Sequence, residues 1–485
     1  MATAIPTNEA AFVLDQIAMS CGGRVHARDA STRVRGVVTD SRAVLAGTLY
    51  VALRGEHHDG HAFVAQAQQL GAAAVLVDDM RHVPGDLPAV CVSDTRHALG
   101  ELALLHRSRW PGKLVAVTGS AGKSTTKELT AAALSALGHK VLRTRGNLNN
   151  DIGLPMTLLC LDASHDVAVV EVGTSAPGEI ARLARLACAD VGVVTSVSLA
   201  HTAGLGSLAD VADEKCALLR ALGAKGVAVY SADSEVLRAR VPSFGGARTI
   251  SFGLHDDANV RLLRHVLSAE LTTRCTYRLA GSADALEVNL GLCGIGPALD
   301  AGAALAVVLA LYGAAALPKA ARGLPAVAPL PGRLAPRPTA GGALVIDDTY
   351  NANPASMQAS LATLVALAHA RQGRAIAALG DMAELGVHSQ AEHERIGEYA
   401  AQLGVAALFV CGAEMTHAAR TARVASAALP PGTAPRVQHF MDPVQSAQEI
   451  GSFMHARDAV LVKGSRSMLM ERVVEALCAS AGGAR

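Results

Sequence analysis

Apolar residues fall along this chain in two alternating rhythms. Short runs of Val, Ala, Leu and Ile bounded by Gly or Asp recur between longer stretches whose apolar positions return every three or four residues. The first pattern suits strands buried on both faces and the second amphipathic helices, so their alternation predicts open, mostly parallel sheets covered by helices. In the middle of the chain LVAVT reads as a strand, GSAGK as a loop and STTKELTAAALSALG as a helix. The strand DVAVVEV, the helix PGEIARLARLAC, the strand VGVVTSV, the helix SLADVADEKCALLRAL and the strand GVAVY follow. The last part repeats the alternation with ALVIDD, a long helix from Ser356, RAIAALG, a helix near HERIGEYAAQLG, ALFVCG and AVLVKG. The first part, with TLYVAL, AAAVLVDD and AVCVSD, reads as a smaller α/β unit.

Composition shifts divide these parts. A basic Pro-Gly turn, HRSRWPGK, closes the first, and the Pro-rich stretch between Pro318 and Arg333 reads as an interdomain connection. At roughly 150 residues per domain, 485 residues suggest three domains. The expectation is therefore an α/β chain with domains 1–108, 109–329 and 330–485.

With 51% hydrophobic and 18% charged residues the chain can bury sizeable cores. Its 43 basic and 42 acidic residues leave a charge of +1, and there is one Trp with six Tyr and seven Phe. Neither a basic field nor a set of stacking rings is present, which argues against general nucleic-acid binding. Nine Cys scattered singly suit free thiols in a reducing cytosol. The opening MATAIPTNEAAF lacks the basic end and apolar run of a signal peptide. The uncharged, Ala-rich stretch Ala301 to Leu317 reads as a buried helix and not a membrane span. A cytoplasmic protein that does not span the membrane is expected.

Candidate chemistry begins at Gly119-Ser120-Ala121-Gly122-Lys123-Ser124, a loop between a strand and a helix N-terminus. Glycines let backbone N–H groups approach phosphate oxygens, and the helix dipole favours the anion. Lys123 can reach the outer phosphates, and a hydroxyl of Ser124 or Thr125 can hold Mg²⁺. The GxxGKS spacing is two residues shorter than the usual GxxxxGKS. Glu171 and His201 follow strands of the same sheet, so they emerge on the edge where ligands bind. Glu171 is a candidate Mg²⁺ ligand; His201 is a candidate for a second metal or for orienting its water. Three amides in RGNLNNDIGLP, Asn147, Asn149 and Asn150, suit a turn as readily as a site. IDDTYNANP ends a strand with two acids and two amides, Asp348 and Asn351 among them, and Arg333 stands in the connection before it. An Arg on a hinge facing a phosphate site would neutralise transferred charge when domains close.

The segments VTGSAGKSTTKE, RGNLNNDIGLPMTLL, EVGTSAPGEIA, AHTAGLGSL, IDDTYNANPASM, ALGDMAELG and LVKGSRSMLMERVV, with TDSRAVLAGTLYVALRGEHHDGH near the start, together resemble the ATP-dependent Mur ligases of peptidoglycan synthesis over nearly the whole chain. NLNND, DDTYNANP and GDMAELG are similar to those members that join D-alanyl-D-alanine to a UDP-N-acetylmuramoyl-tripeptide. The resemblance implies a first domain for the UDP precursor, a central ATP domain and a Rossmann-like closing domain, acting as a monomer. It implies UDP-sugar contacts at Ser41 and Arg42, phosphate and magnesium roles for Lys123 and Ser124, and a metal-associated pair in Glu171 and His201. It places Arg333, Asp348 and Asn351 at ATP, together with either Asn149 or Asn150. It sets Lys215 where the family carries a CO₂-modified lysine; read from residue type alone, Lys215 is a solvated helix lysine pairing with Asp210 or Asp213.

Two segments depart from the family. EKCA stands around Lys215 where AKGE is common, and GIGPALDAGAA stands where GxHNxxNALAA is usual. Gly296, Pro297 and Asp300 thereby replace a His and two Asn expected near the adenine. Sister amino-acid or folylpolyglutamate ligases share the same ATP chemistry, and a degenerate UDP-precursor-binding protein is the non-enzymatic alternative. A P-loop GTPase would need the NKxD motif, which this chain lacks.

Overall fold

The computed structural model describes residues 3–479 apart from 56–57, 200–201, 245 and 431. Its largest sheet has nine strands, in the order Ala285–Leu290, Thr273–Leu279, Val260–Leu267, Arg248–Gly253, Val227–Ser231, Val191–Val194, Lys113–Thr118, Val167–Glu171 and Val141–Arg143. From Val141–Arg143 across to Val260–Leu267 every neighbouring pair is parallel. The apolar runs are continuous because both faces are buried. Leu114 and Ala116 enter one core while Val115 and Val117 enter the other.

Connectivity then places a crevice. From Lys113–Thr118 the chain runs through helix Lys123–Ala136 to Val141–Arg143, and it comes back to Val167–Glu171 beside the starting strand. It next crosses to Val191–Val194 on the opposite side. Strand order therefore reverses at Lys113–Thr118, and the carboxyl end of such a strand is where an open parallel sheet leaves room for a ligand.

The other sheets flank this one. A five-stranded sheet (Arg24–His26, Ala89–Cys91, Ala74–Val77, Leu49–Val51, Val37–Val38) and a ribbon pairing Ala11–Val13 with Arg33–Arg35 form the N-terminal unit. Helix Thr95–Arg109, capped by the Asp94 carboxylate on the N–H groups of Arg96 and His97, fastens it to the centre. Its Leu99, Leu102 and Ala103 share one core with Leu114, Leu154, Ala168 and Leu183. The C-terminal sheet has six strands, Ala335–Pro338, Leu344–Asp348, Ala459–Lys463, Ala375–Gly380, Ala407–Cys411 and Arg436–Phe440, parallel after the first pair.

The strands and helices expected for the central parallel region are all found, with ends shifted by a few residues. The antiparallel run Val260–Leu267, Thr273–Leu279 and Ala285–Leu290 was not foreseen, since its exposed face carries Arg and Glu among the apolar residues. The Pro-rich connection also needs correction. Its first half forms Leu317–Ala321 and Leu324–Ala326, each with Pro in the first turn, where the ring fits. Leu317, Ala320 and Leu324 are buried in the central core. The long helix of the C-terminal unit starts at Pro354, two residues before Ser356, because Asn353 and Ser356 cap each other's backbone N–H. All nine cysteines are free thiols.

Among the described residues one helix, Ile295–Tyr312, is long and apolar enough to cross a membrane. Here it packs on the central sheet, and Gly302 lets it approach the Tyr277 ring. Leu305 on this helix is fully buried. Leu305→Ala is expected to destabilise the protein by about 2–5 kcal/mol, the usual cost of such a cavity. Urea unfolding followed by tryptophan and circular dichroism checks it, and an unchanged midpoint would remove the helix from the core.

Candidate functional site

The loop after Lys113–Thr118 is shaped by two glycines. At Gly119 (φ +151°) a Cβ would lie 1.9 Å from Thr195 Oγ1, and at Gly122 (φ +83°) one would lie 2.2 Å from Asp300 Oδ1. Ser120 Oγ donates to the Ser198 carbonyl (3.1 Å) and the Ala121 N–H donates to Ser196 Oγ (2.9 Å), which anchors the loop to the neighbouring strand end. No side chain caps helix Lys123–Ala136, so its first-turn N–H groups are available to an anion. Lys123 Nζ donates to the Gly119 carbonyl at 2.7 Å, which holds the ammonium over the loop. Burial lowers its pKa, the charge on Glu171 opposes that shift, and Arg333 adds to it.

Glu171 is the junction of the site. It is 2% exposed, accepts from Ser124 Oγ at 2.6 Å on one oxygen and from Asn149 Nδ2 at 2.8 Å on the other. Both donors are neutral, and among the described residues Glu171 has no ion-pair partner. A buried carboxylate in that condition suits a cation. No three His, Cys, Asp or Glu side chains gather among the described residues. Mg²⁺ fits this pattern, since it is held by one or two carboxylates together with waters and substrate phosphates.

The two asparagines differ in what they do. Asn149 reaches Glu171, whereas the Asn150 side-chain Oδ1 accepts from Ile152 N and Gly153 N at the start of helix Gly153–Leu158. Both nevertheless line the same cavity.

Lys215 overturns the solvated reading. It is 1% exposed and, among the described residues, has no hydrogen-bond or ion-pair partner. Asp213 is engaged by Arg220 and Arg240, and Asp210 by Ser207 in a capping box. Adjacent Glu214 accepts from Gly178 N and Ile180 N. Burial and the charge of Lys123 push the Lys215 amine down to about 7, against the pull of Glu214. His201 lies outside the described residues.

The C-terminal sheet contributes the opposite wall. The Arg333 guanidinium lies 4.1 Å over the Tyr350 ring, a cation–π contact. Gly332 is left-handed there, with Tyr350 N donating to its carbonyl at 3.0 Å. Asp348 is 2.6 Å from Lys463 Nζ, and it also accepts from Ser360 Oγ and Leu334 N. Lys463 donates to the Asn351 carbonyl as well, and Asn353 Nδ2 reaches across to the Ser120 carbonyl at 3.4 Å. Beyond the loop, Thr202 Oγ1 and Ala203 N donate to carbonyls of Glu384 and Leu385 in the GDMAELG segment.

The loop, Glu171 and the C-terminal wall surround one cavity of about 850 Å³, which Lys215 does not line. It is lined by Ser120, Ala121, Gly122 and Lys123 of the loop, by Thr125, Asn149, Asn150 and Glu171, by Gly296, Pro297 and Asp300, and by Arg333, Asp348 and Asn351, while Gly119 and Ser124 stand behind that surface. Ser41 and Arg42 do not line it. They sit in the turn Ser41–Ala43, with Ser41 Oγ donating to Gln66 and Arg42 paired to Asp40. Sequence reasoning passed over Arg96, Asp151 and Arg182, which line the cavity as a group. Asp151 pairs with Arg96 from the N-terminal unit at 3.2 Å and with Arg182 at 3.5 Å. The acid directly after NLNN was the available signal, but its partners are remote in sequence.

Comparison with known proteins accords with this geometry. Models of the Mur ligase family match residues 33–134 (catalytic domain), 117–308 (middle domain) and 332–466 (glutamate ligase domain). A UDP-N-acetylmuramoyl-tripeptide–D-alanyl-D-alanine ligase of Escherichia coli is 37% identical over 449 residues, 91% of this chain and 93% of that protein. A crystal structure of MurF from Acinetobacter baumannii superimposes with a TM-score of 0.86 at 28% identity, covering 97% of this chain and 100% of the other. The MurF ligase of Thermotoga maritima in complex with ADP gives 0.80 at 28% identity, covering 92% and 97%.

Gly122→Ala tests the loop directly. A Cβ at φ +83° would be strained and would meet the Asp300 carboxyl. ADP binding, measured by calorimetry, is expected to weaken at least about tenfold, or about 1.4 kcal/mol. Unchanged affinity would remove this loop from the nucleotide site.

Proposed function

The chain belongs to the Mur ligase family, and from that premise we propose that it is the ATP-dependent ligase that joins D-alanyl-D-alanine to a UDP-N-acetylmuramoyl-tripeptide. The products would be UDP-N-acetylmuramoyl-pentapeptide, ADP and phosphate, a step of peptidoglycan synthesis. The observation that carries the reading is the single cavity in which the phosphate loop, the Ser124–Glu171–Asn149 cluster and the Arg333–Asp348 wall meet. The full-length match to relatives bearing that name favours it over the amino-acid-adding and folylpolyglutamate ligases. The reading places the protein in the cytoplasm, where its nucleotide substrates are made, acting as a monomer.

A carboxylate does not react with an amine without activation. The tripeptide's terminal carboxylate attacks the γ-phosphorus of ATP, and ADP leaves with the bonding pair. The resulting acyl phosphate is attacked by the neutral amine of D-alanyl-D-alanine, and phosphate leaves from the tetrahedral intermediate. Lys123 and the first-turn N–H groups of its helix would hold the phosphate chain, with Asn149, Asn150, Asp348 and Asn351 fixing the nucleotide beside it. Arg333, steadied on Tyr350, would offset negative charge as the phosphoryl group moves. Ser124 and Glu171, with His201 following in sequence, are the residues to hold Mg²⁺, which supplies charge neutralisation to the phosphate oxygens. Keeping acyl phosphate and amine together raises the effective concentration to about 10⁵ M or more for well-oriented partners. Ser41 and Arg42 would serve the distant UDP end.

Lys215 fits modification by CO₂. A neutral amine adds to CO₂, losing a proton and becoming an anionic carbamate, and burial that lowers its pKa to about 7 favours the neutral form. The carbamate would add an oxygen donor to the metal-binding edge. The EKCA context leaves the amine buried and unpaired.

Three measurements test the reading. ADP release should require both the UDP-tripeptide and D-alanyl-D-alanine, and stimulation by a diamino acid or glutamate in place of the dipeptide would refute the substrate assignment. Lys123→Ala should lose turnover at least about 10³-fold, the scale of removing a phosphoryl-charge partner, while precursor binding by calorimetry persists. Lys215→Ala should lose most activity and regain part of it with formate or acetate. Wild-type turnover by that variant in CO₂-free buffer would make the lysine structural.

A further inference from the structure

Asp300 occupies an unusual place for an acid. It sits on the apolar helix Ile295–Tyr312, is 8% exposed, and lies directly against Gly122 of the phosphate loop. Its Oδ1 accepts from Thr126 Oγ1 at 3.1 Å. Among the described residues Oδ2 has no hydrogen-bond partner and no cation stands within ion-pair distance, yet the residue lines the nucleotide cavity. The groups facing it are few. Helix Lys123–Ala136 presents the Thr126 hydroxyl, strand Thr273–Leu279 the phenol of Tyr277, which donates to the Ala298 carbonyl, and the connection to the third sheet presents Arg333 at longer range.

As a carboxylate, Asp300 would be a buried, unpaired anion beside the loop that receives phosphates. As an acid it is isosteric with an asparagine amide, with one acceptor already used by Thr126 and one donor left free on a residue that lines the cavity. We propose that Asp300 is a nucleotide-binding residue that works as a neutral carboxylic acid, donating a hydrogen bond from Oδ2 to a phosphate-chain oxygen of the bound nucleoside triphosphate. Burial agrees with this, since it raises the Asp300 pKa to about 8 despite the opposing pull of Thr126 and Arg333. Below that pH the donor is in place. Above it the proton is lost, a negative charge appears against the phosphates, and affinity falls toward tenfold per pH unit. The inference rests on the ligase reading only in taking ATP as the ligand.

The test is ADP binding with Mg²⁺, measured by calorimetry from pH 7 to 9.5 on the full wild-type chain and on Asp300→Asn, which keeps a donor that does not titrate. Lys123 and Lys215 are common to both, so the ratio of the two dissociation constants isolates Asp300. That ratio is expected to change at least tenfold over the range, with the wild type weakening. Parallel profiles, or wild-type binding that strengthens with pH as an ionised metal ligand would require, overturn the proposal while leaving the ligase reading intact. Failure of both proteins to bind ADP at pH 7 would instead overturn both. Should Asp300→Asn fold poorly, infrared spectroscopy of the wild type decides. A protonated-carboxyl band that titrates away near pH 8 supports the assignment, and no such band at pH 7 refutes it.

Discussion

A buried carboxylate with only neutral partners organises this protein. Glu171 stands at the carboxyl end of a central strand, beside the strand where sheet order reverses, and binds Ser124 of the phosphate loop and Asn149 of the next loop. Around it Lys215 and Asp300 are also buried and Lys123 is half-buried, and among the described residues none of them is neutralised by a direct ion pair. Leaving charges in low dielectric without partners is costly for a stable fold. The cost makes sense where phosphates and a divalent cation supply the missing charges, and it accounts for the shifted amines and acid at one strand edge.

The same edge gathers three units. Helix Thr95–Arg109 merges the N-terminal unit with the central core, and it brings Arg96 to the cavity beside Asp151 and Arg182. The C-terminal unit touches the loop more lightly, through Asn353 on the Ser120 carbonyl and the Glu384–Leu385 carbonyls on Thr202 and Ala203. Leu199, Leu267 and Leu271 add only partly buried apolar contact to that seam, a looser join than the shared N-terminal core, so relative motion is expected at the C-terminal unit. Arg333 lies on the segment entering that unit, where movement would bring its charge toward or away from the phosphates.

Local pattern alone determined a good deal. Continuous apolar runs bounded by Gly and Asp identified the parallel strands, and GSAGKS between a strand and a helix marked the phosphate loop. Glu171 and Asp348 were legible because both end such strands. These features depend on neighbours in sequence, namely side-chain period, turn chemistry and the exposed N–H groups of a helix start.

Only the tertiary structure decided what each charged side chain faces. The sequence gives Lys215 an ordinary acidic helix with partners at hand, yet packing turns it inward and leaves Asp210 and Asp213 to other donors. Asn149 and Asn150 are chemically equivalent in NLNND until the loop's path hands one to Glu171 and the other to a helix cap. Asp300, a replacement expected near the adenine, proves to lie against Gly122, more than a hundred and seventy positions away in the chain. Burial, and with it protonation state, follows from contacts between remote segments, and no local spacing encodes those contacts.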